Sequence, residues 1–157
     1  MIQISILRER NIRRGILISV LITLVIYIII SITGLAFNGF YLFADIEFAL
    51  GTIFGVIIAL NNKQEDQSIL GSGVIVGIAG GILSSVFLGL YEMILFGFLF
   101  APNISVFILF FGVSVISGIV IGLIGGALIG SYYMYKELKG ESEEETVDDD
   151  FYDDLIK

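Results

Sequence analysis

Four long apolar runs leave this chain few ways to fold. They are Gly15 to Phe37, Phe40 to Leu60, Ile69 to Phe100 and Ile104 to Tyr135, and between Gly15 and Tyr135 only Asp45, Glu47, Lys63, Glu65, Asp66 and Glu92 carry charge. About 20 helical residues cross a hydrocarbon core of about 30 Å, so each run is long enough to span a bilayer. None alternates apolar with polar residues as a membrane β-strand does. Hydrophobic residues make up 57% of the sequence, against roughly 45–50% in soluble domains. The expectation is an all-α polytopic membrane protein, a bundle of four transmembrane helices.

Such helices have little hydrophobic drive to associate, and small residues at four-residue spacing let their backbones approach instead. The third run has Gly73, Gly77, Gly81, Ser85 and Gly89, and the fourth has Ser114, Gly118, Gly122, Gly126 and Gly130. The second has Gly51, Gly55 and Ala59, and the first a more polar stripe of Gly15, Ser19, Thr23, Tyr27 and Ser31. The third and fourth helices, joined by a short turn, can face each other through these ladders; the ladders can equally face those of another subunit. The same spacing suggests two hairpins of like orientation, so that any duplication is parallel.

Charge is distributed unevenly. The net charge of −8 comes from the end of the chain, where Glu141 to Lys157 hold nine acidic residues and one lysine. Three parts follow: a basic segment at 1–14, a transmembrane domain at 15–139, and an acidic tail at 140–157 expected to be disordered, as like-charge blocks usually are. Within the tail, Phe151, Tyr152, Leu155 and Ile156 form an apolar knot that could dock onto a basic cytoplasmic protein. Arg8, Arg10, Arg13 and Arg14 precede the first run, Lys63 follows the second, and Lys136 and Lys139 follow the fourth. The positive-inside bias then puts both termini in the cytoplasm of a plasma-membrane protein. The basic start, with Gly34 and Ala36 spaced like a cleavage site, imitates a secretory signal. Its apolar run exceeds the usual core of about 7–15 residues, which favours an uncleaved first helix.

The chain has no cysteine and no histidine. Thiol chemistry, iron–sulfur ligation and imidazole catalysis are thereby excluded, and no enzyme activity, cofactor, metal site or nucleic-acid partner is expected. The glycine-rich stretch from Leu70 to Gly81 follows no strand and enters a span, which argues against a nucleotide site. Three carboxylates lie in or near the spans: Asp45, Glu47 and Glu92. An ionisable group in hydrocarbon is a functional candidate by default. Glu47 is four residues before Gly51 and so belongs to the stripe facing the bundle; Asp45 is about 200° away around the helix. Glu47 is read either as a structural carboxyl satisfied by hydroxyls of the first helix or as part of an outward-facing oxygen site, with Asp45, Glu92 and Asn38, for a cation or proton. Glu92 misses its own ladder by one place and reads as an interfacial acid beside Tyr91.

The ladders in "GSGVIVGIAGGILSS" and "SGIVIGLIGGALIG", the basic start and the acidic end together resemble small archaeal four-span membrane proteins with glycine-zipper helices, a group without an established activity. The resemblance implies a bundle and no mechanism. Two functions remain in competition. One is a non-enzymatic component that self-associates or serves as an accessory subunit of a membrane assembly, with the bilayer, other membrane subunits or a second copy as partners. The other is a small cation or proton channel or transporter.

Overall fold

The computed structural model describes residues 9–32, 45–63, 67–99 and 104–155, with side chains described as far as Ser31 in the first helix, as far as Tyr91 in the third and, Ile108 apart, from Phe111 to Lys139 in the fourth. Four helices account for almost all of it: α1 (Arg10–Ile32), α2 (Ile46–Asn61), α3 (Ile69–Leu99) and α4 (Ile104–Leu155). Among the described residues there is no strand. Stretches within α1, α3 and α4, from Arg10 to Ser31, Ile69 to Tyr91 and Phe111 to Lys139, are long and apolar enough to cross a membrane. The fold is therefore all-α with three such helices.

Two expectations change. The second apolar run was expected to span from Phe40, but α2 has 16 residues, about 24 Å at 1.5 Å per residue, which is shorter than the hydrocarbon core. Its start coincides with Asp45, which occupies the N-cap position with φ −113° and ψ 9°. The acidic tail, expected to be disordered, instead continues α4 as helix to Leu155. Extending an existing helix avoids the nucleation cost, and Glu143, Glu144 and Glu145 are good helix formers. Of the apolar knot, Phe151, Tyr152 and Leu155 lie on this helix, with their side chains outside the described set, and Ile156 lies outside the described residues.

The helices pack as two antiparallel hairpins. In the first, Asn11 meets Ala59, Gly15 meets Gly55, Ser19 meets Gly51, and Thr23 meets Glu47. In the second, Gly73 meets Gly126, Gly77 meets Gly122, Gly81 meets Gly118, and Ser85 meets Ser114. The four levels correspond one to one, in the same order and direction, as a parallel repeat requires. The contact is backbone to backbone. A Cβ added to Gly15 would stand 2.6 Å from the Gly55 carbonyl oxygen, and one added to Gly55 would stand 2.6 Å from that of Gly15. A Cβ on Gly77 or Gly122 would overlap the other's carbonyl outright. Glycine is therefore a steric requirement at these levels. The α3 ladder ends where the Phe111 ring covers Gly89, and the α4 ladder ends with Gly130 against Leu70.

The hairpins join through α1 with α3 and α2 with α4, each pair running parallel. Gly15 touches Val76 and Gly80 touches Ser19 on one side; Thr52 touches Gly125 on the other. Ile12, Ile16, Val56, Ala59, Leu60 and Val76 make a common apolar core near the basic end. Outside, Leu17, Leu21 and Val25 on α1 and Ile116, Val120 and Leu128 on α4 are exposed, as lipid-facing positions are.

Candidate functional site around Glu47

The α1 stripe of Asn11, Gly15, Ser19 and Thr23 lies in the groove between α2 and α3, because its members touch both helices. This groove is polar along its length. Asn11, Ser19, Thr23, Glu47 and Ser84 are all buried, which in an apolar bundle demands hydrogen bonds.

At the basic end the demand is met. The Asn11 side-chain amide donates to Gln67 Oε1 at 2.6 Å and approaches the Ala59 carbonyl at 3.3 Å, while Gln67 Nε2 lies 3.3 Å from Asn11 Oδ1 and also donates to the Glu9 carboxylate. The segment joining the hairpins is thereby tied to α1. It is tied to α4 by the Lys63–Glu137 ion pair at 2.7 Å and by the Tyr133 hydroxyl donating to Asn61 at 2.7 Å.

Farther along, the Thr23 hydroxyl lies 2.9 Å from the Ser19 carbonyl and 3.2 Å from the Glu47 carbonyl, shared between its own helix and α2. The Ser85 hydroxyl does the same in the second hairpin, 2.8 Å from the Gly81 carbonyl and 2.9 Å from that of Ser114. Both brackets use only a backbone oxygen of the facing residue. Glu47 itself is 3% exposed and lies one turn from Gly51 on the stripe facing α1. One turn beyond Thr23, the rings of Tyr27 and Tyr91 meet edge to face, with centroids 5.9 Å apart.

Ser84 follows Val76 and Gly80, which touch α1, at four-residue spacing on α3. It is fully buried, and its hydroxyl has no hydrogen-bond partner; the same holds for the Thr52 hydroxyl, whose Cγ2 methyl faces Gly125 of α4.

The outer acids are not gathered into one site. Asp45 is exposed at the start of α2 while Glu47 is buried against α1, because two helical steps turn the side chains to opposite faces. The backbone of Glu92 belongs to α3, but its side chain lies outside the described set, and Asn38 lies outside the described residues. Among the described residues no group of three or more His, Cys, Asp or Glu could hold a metal ion. Among the described residues Glu47 is the one buried carboxylate residue, and its backbone carbonyl accepts from the Thr23 hydroxyl.

Asn11, Gln67 and Ser84 were not singled out from the sequence. Asn11 carries a signal, since it extends the α1 stripe one step below Gly15, and Gly80 and Ser84 form a second small-residue row on α3. Gln67 carries none, because nothing local pairs it with a residue 56 positions away.

No protein-family model matches the chain, and none of the curated proteins or solved structures compared with it matches either.

Proposed function

We propose that this is a non-enzymatic, four-span plasma-membrane protein that serves as a component of a larger membrane assembly, with both termini cytoplasmic and α4 as its docking element. The observation that carries this reading is the length of α4. From the Lys63–Glu137 ion pair the helix continues to Leu155, about 27 Å at 1.5 Å per residue, carrying the acidic sequence away from the bundle. An acidic helix on a membrane anchor suits a basic partner. The pairing of α2 with α1 over four levels supports a fourth crossing, and the exposed Arg10, Arg13 and Arg14 support the orientation. Self-association through a glycine zipper is the less favoured form of this reading, because the ladders already pair within one chain.

Native mass spectrometry of the full chain and of a chain ending at residue 140, each extracted gently from its own membrane, tests this. The full chain is expected to retain a second protein that the shortened chain loses. Equal retention, or no second protein with either, contradicts it.

A second reading, a small cation or proton transporter, is favoured by the burial of the ionisable Glu47 within an apolar bundle. Flux into vesicles that is lost in Glu47→Gln while the bundle stays folded is the expected result.

A further inference from the structure

α1 has two unlike sides. The stripe of Asn11, Gly15, Ser19 and Thr23 is buried between α2 and α3, whereas the exposed side begins with Arg10, Arg13 and Arg14 and continues with Leu17, Leu21, Val25 and Ile28. At 3.6 residues per turn these exposed positions fall within a band of about 120° around the helix. The charged and apolar parts are therefore one continuous face.

Its charged end is uncompensated. Arg10 has Arg13 and Arg14 as its neighbours on the next turn, about 5–6 Å away between Cβ atoms, so the guanidinium groups can close on one anion. None of the three makes an ion pair or a side-chain hydrogen bond among the described residues. Glu9, the nearest acid in sequence, accepts from the Gln67 amide. The first turn of α1 contains no acid, although the helix dipole favours negative charge there. The apolar end has a definite length. From Leu17 to Ile28 the helix rises about 16 Å, half of a hydrocarbon core of about 30 Å. Three cations at the foot of an apolar face one leaflet long complement a molecule with an anionic head and a hydrocarbon chain.

We propose that this face of α1 binds one anionic phospholipid of the leaflet in which α1 begins, with its phosphate held by Arg10, Arg13 and Arg14 and an acyl chain laid along Leu17, Leu21, Val25 and Ile28. The planar guanidinium fork pairs with phosphate oxygens two at a time. A zwitterionic headgroup fits less well, because it brings an ammonium group to three cations. An acidic protein segment is the rival anion, and this chain carries one, but α4 takes it elsewhere. Asn11 is level with Ala59, and Lys63, one turn on, pairs with Glu137, so residues 141–155 of α4 run on past the arginines and away from the bundle. A second copy in the same orientation holds its acids at that same height. The inference needs only that α1 crosses a bilayer and depends on neither function proposed above.

The test is a lipid titration of the delipidated full chain in detergent, read by native mass spectrometry as retained lipid. Dioleoyl phosphatidylglycerol is compared with dioleoyl phosphatidylcholine, and the first is expected to be retained at concentrations at least about tenfold lower, a difference of about 1.4 kcal/mol. Each basic side chain near an anionic surface contributes about 1 kcal/mol, so Arg13→Gln with Arg14→Gln is expected to weaken phosphatidylglycerol about thirtyfold. Lys136→Gln with Lys139→Gln removes the same charge from the same end of the bundle and is expected to keep the wild-type preference. All four positions are exposed, and helicity by circular dichroism should be unchanged in both. Glycerol phosphate, a headgroup without chains, is expected not to compete. Equal retention of the two lipids, equal losses in the two double variants, or competition by glycerol phosphate at the concentration of the lipid overturns the site. Displacement of the lipid by a peptide of residues 141–157 overturns it as well and assigns the arginines to an acidic protein segment.

Discussion

The first hairpin and the second solve one packing problem with different side chains. α3 and α4 meet through glycine against glycine, whereas α1 and α2 use Asn11, Ser19, Thr23 and Glu47 at half of the eight corresponding places. The second hairpin shows how little the close approach requires: small residues, correct spacing and one bridging hydroxyl. Polarity in the first hairpin beyond that minimum needs another reason. At the basic end the reason is attachment, since Asn11 holds the segment between the hairpins.

The comparison breaks most visibly if glycine is replaced where carbonyls meet. Gly122→Leu drives a side chain into the Gly77 carbonyl, and Gly55→Leu drives one into that of Gly15. Each is expected to cost at least about 3 kcal/mol, the upper part of the overpacking range, read as loss of folded protein in a thermal or SDS-unfolding series. Gly112, with nothing within 4 Å of an added Cβ, is the control: Gly112→Ala is expected to be neutral or to stabilise by up to about 1 kcal/mol through helix propensity. Tolerance of leucine in one hairpin alone would show that the two are not equivalent.

A smaller effect is expected at the tie that only the first hairpin has. Asn11→Ala leaves the Gln67 amide and the Ala59 carbonyl without this partner, a cost of about 1–3 kcal/mol for buried polar groups. Proteolysis of the segment between α2 and α3 should accelerate in this variant and stay slow in Gly112→Ala. The smallest effects belong to the bridging hydroxyls. Thr23→Val and Ser85→Ala should each cost about 0.6 kcal/mol, the average for hydrogen bonds between membrane helices, and the costs should match. A large excess at Thr23 would mean that its level does more than pack.

Much of this scheme is legible in the sequence. Four-residue spacing alone aligns Gly73 to Gly89 and Ser114 to Gly130 as stripes, and the same step places Glu47 with Gly51. Spacing cannot choose between a stripe's partners within the chain and in another subunit, because both offer small residues at the same interval; the structure pairs α3 with α4 and α1 with α2. The helix limits were less legible. Hydropathy alone carries the second run back to Phe40, whereas α2 begins at Ile46 behind the acid Asp45, and a like-charge tail reads as disordered although it continues an already nucleated helix. Gln67 could not be found at all, because its partners come from the far end of α1 and only the fold brings them together.

The central claim is that both ladders are spent inside one chain at corresponding levels. Having no cysteine of its own, the protein allows this to be tested by disulfide cross-linking of two double variants, Thr23→Cys with Glu47→Cys and Ser85→Cys with Ser114→Cys. A disulfide requires Cα atoms about 4.4–6.8 Å apart, and in each pair a side-chain hydroxyl of one residue reaches the backbone carbonyl of the other. Both variants are expected to form a cross-link within the monomer, seen as faster migration on a gel and reversed by reductant. Disulfide-linked dimers in place of compact monomers would contradict the account and return the ladders to the role of subunit interfaces.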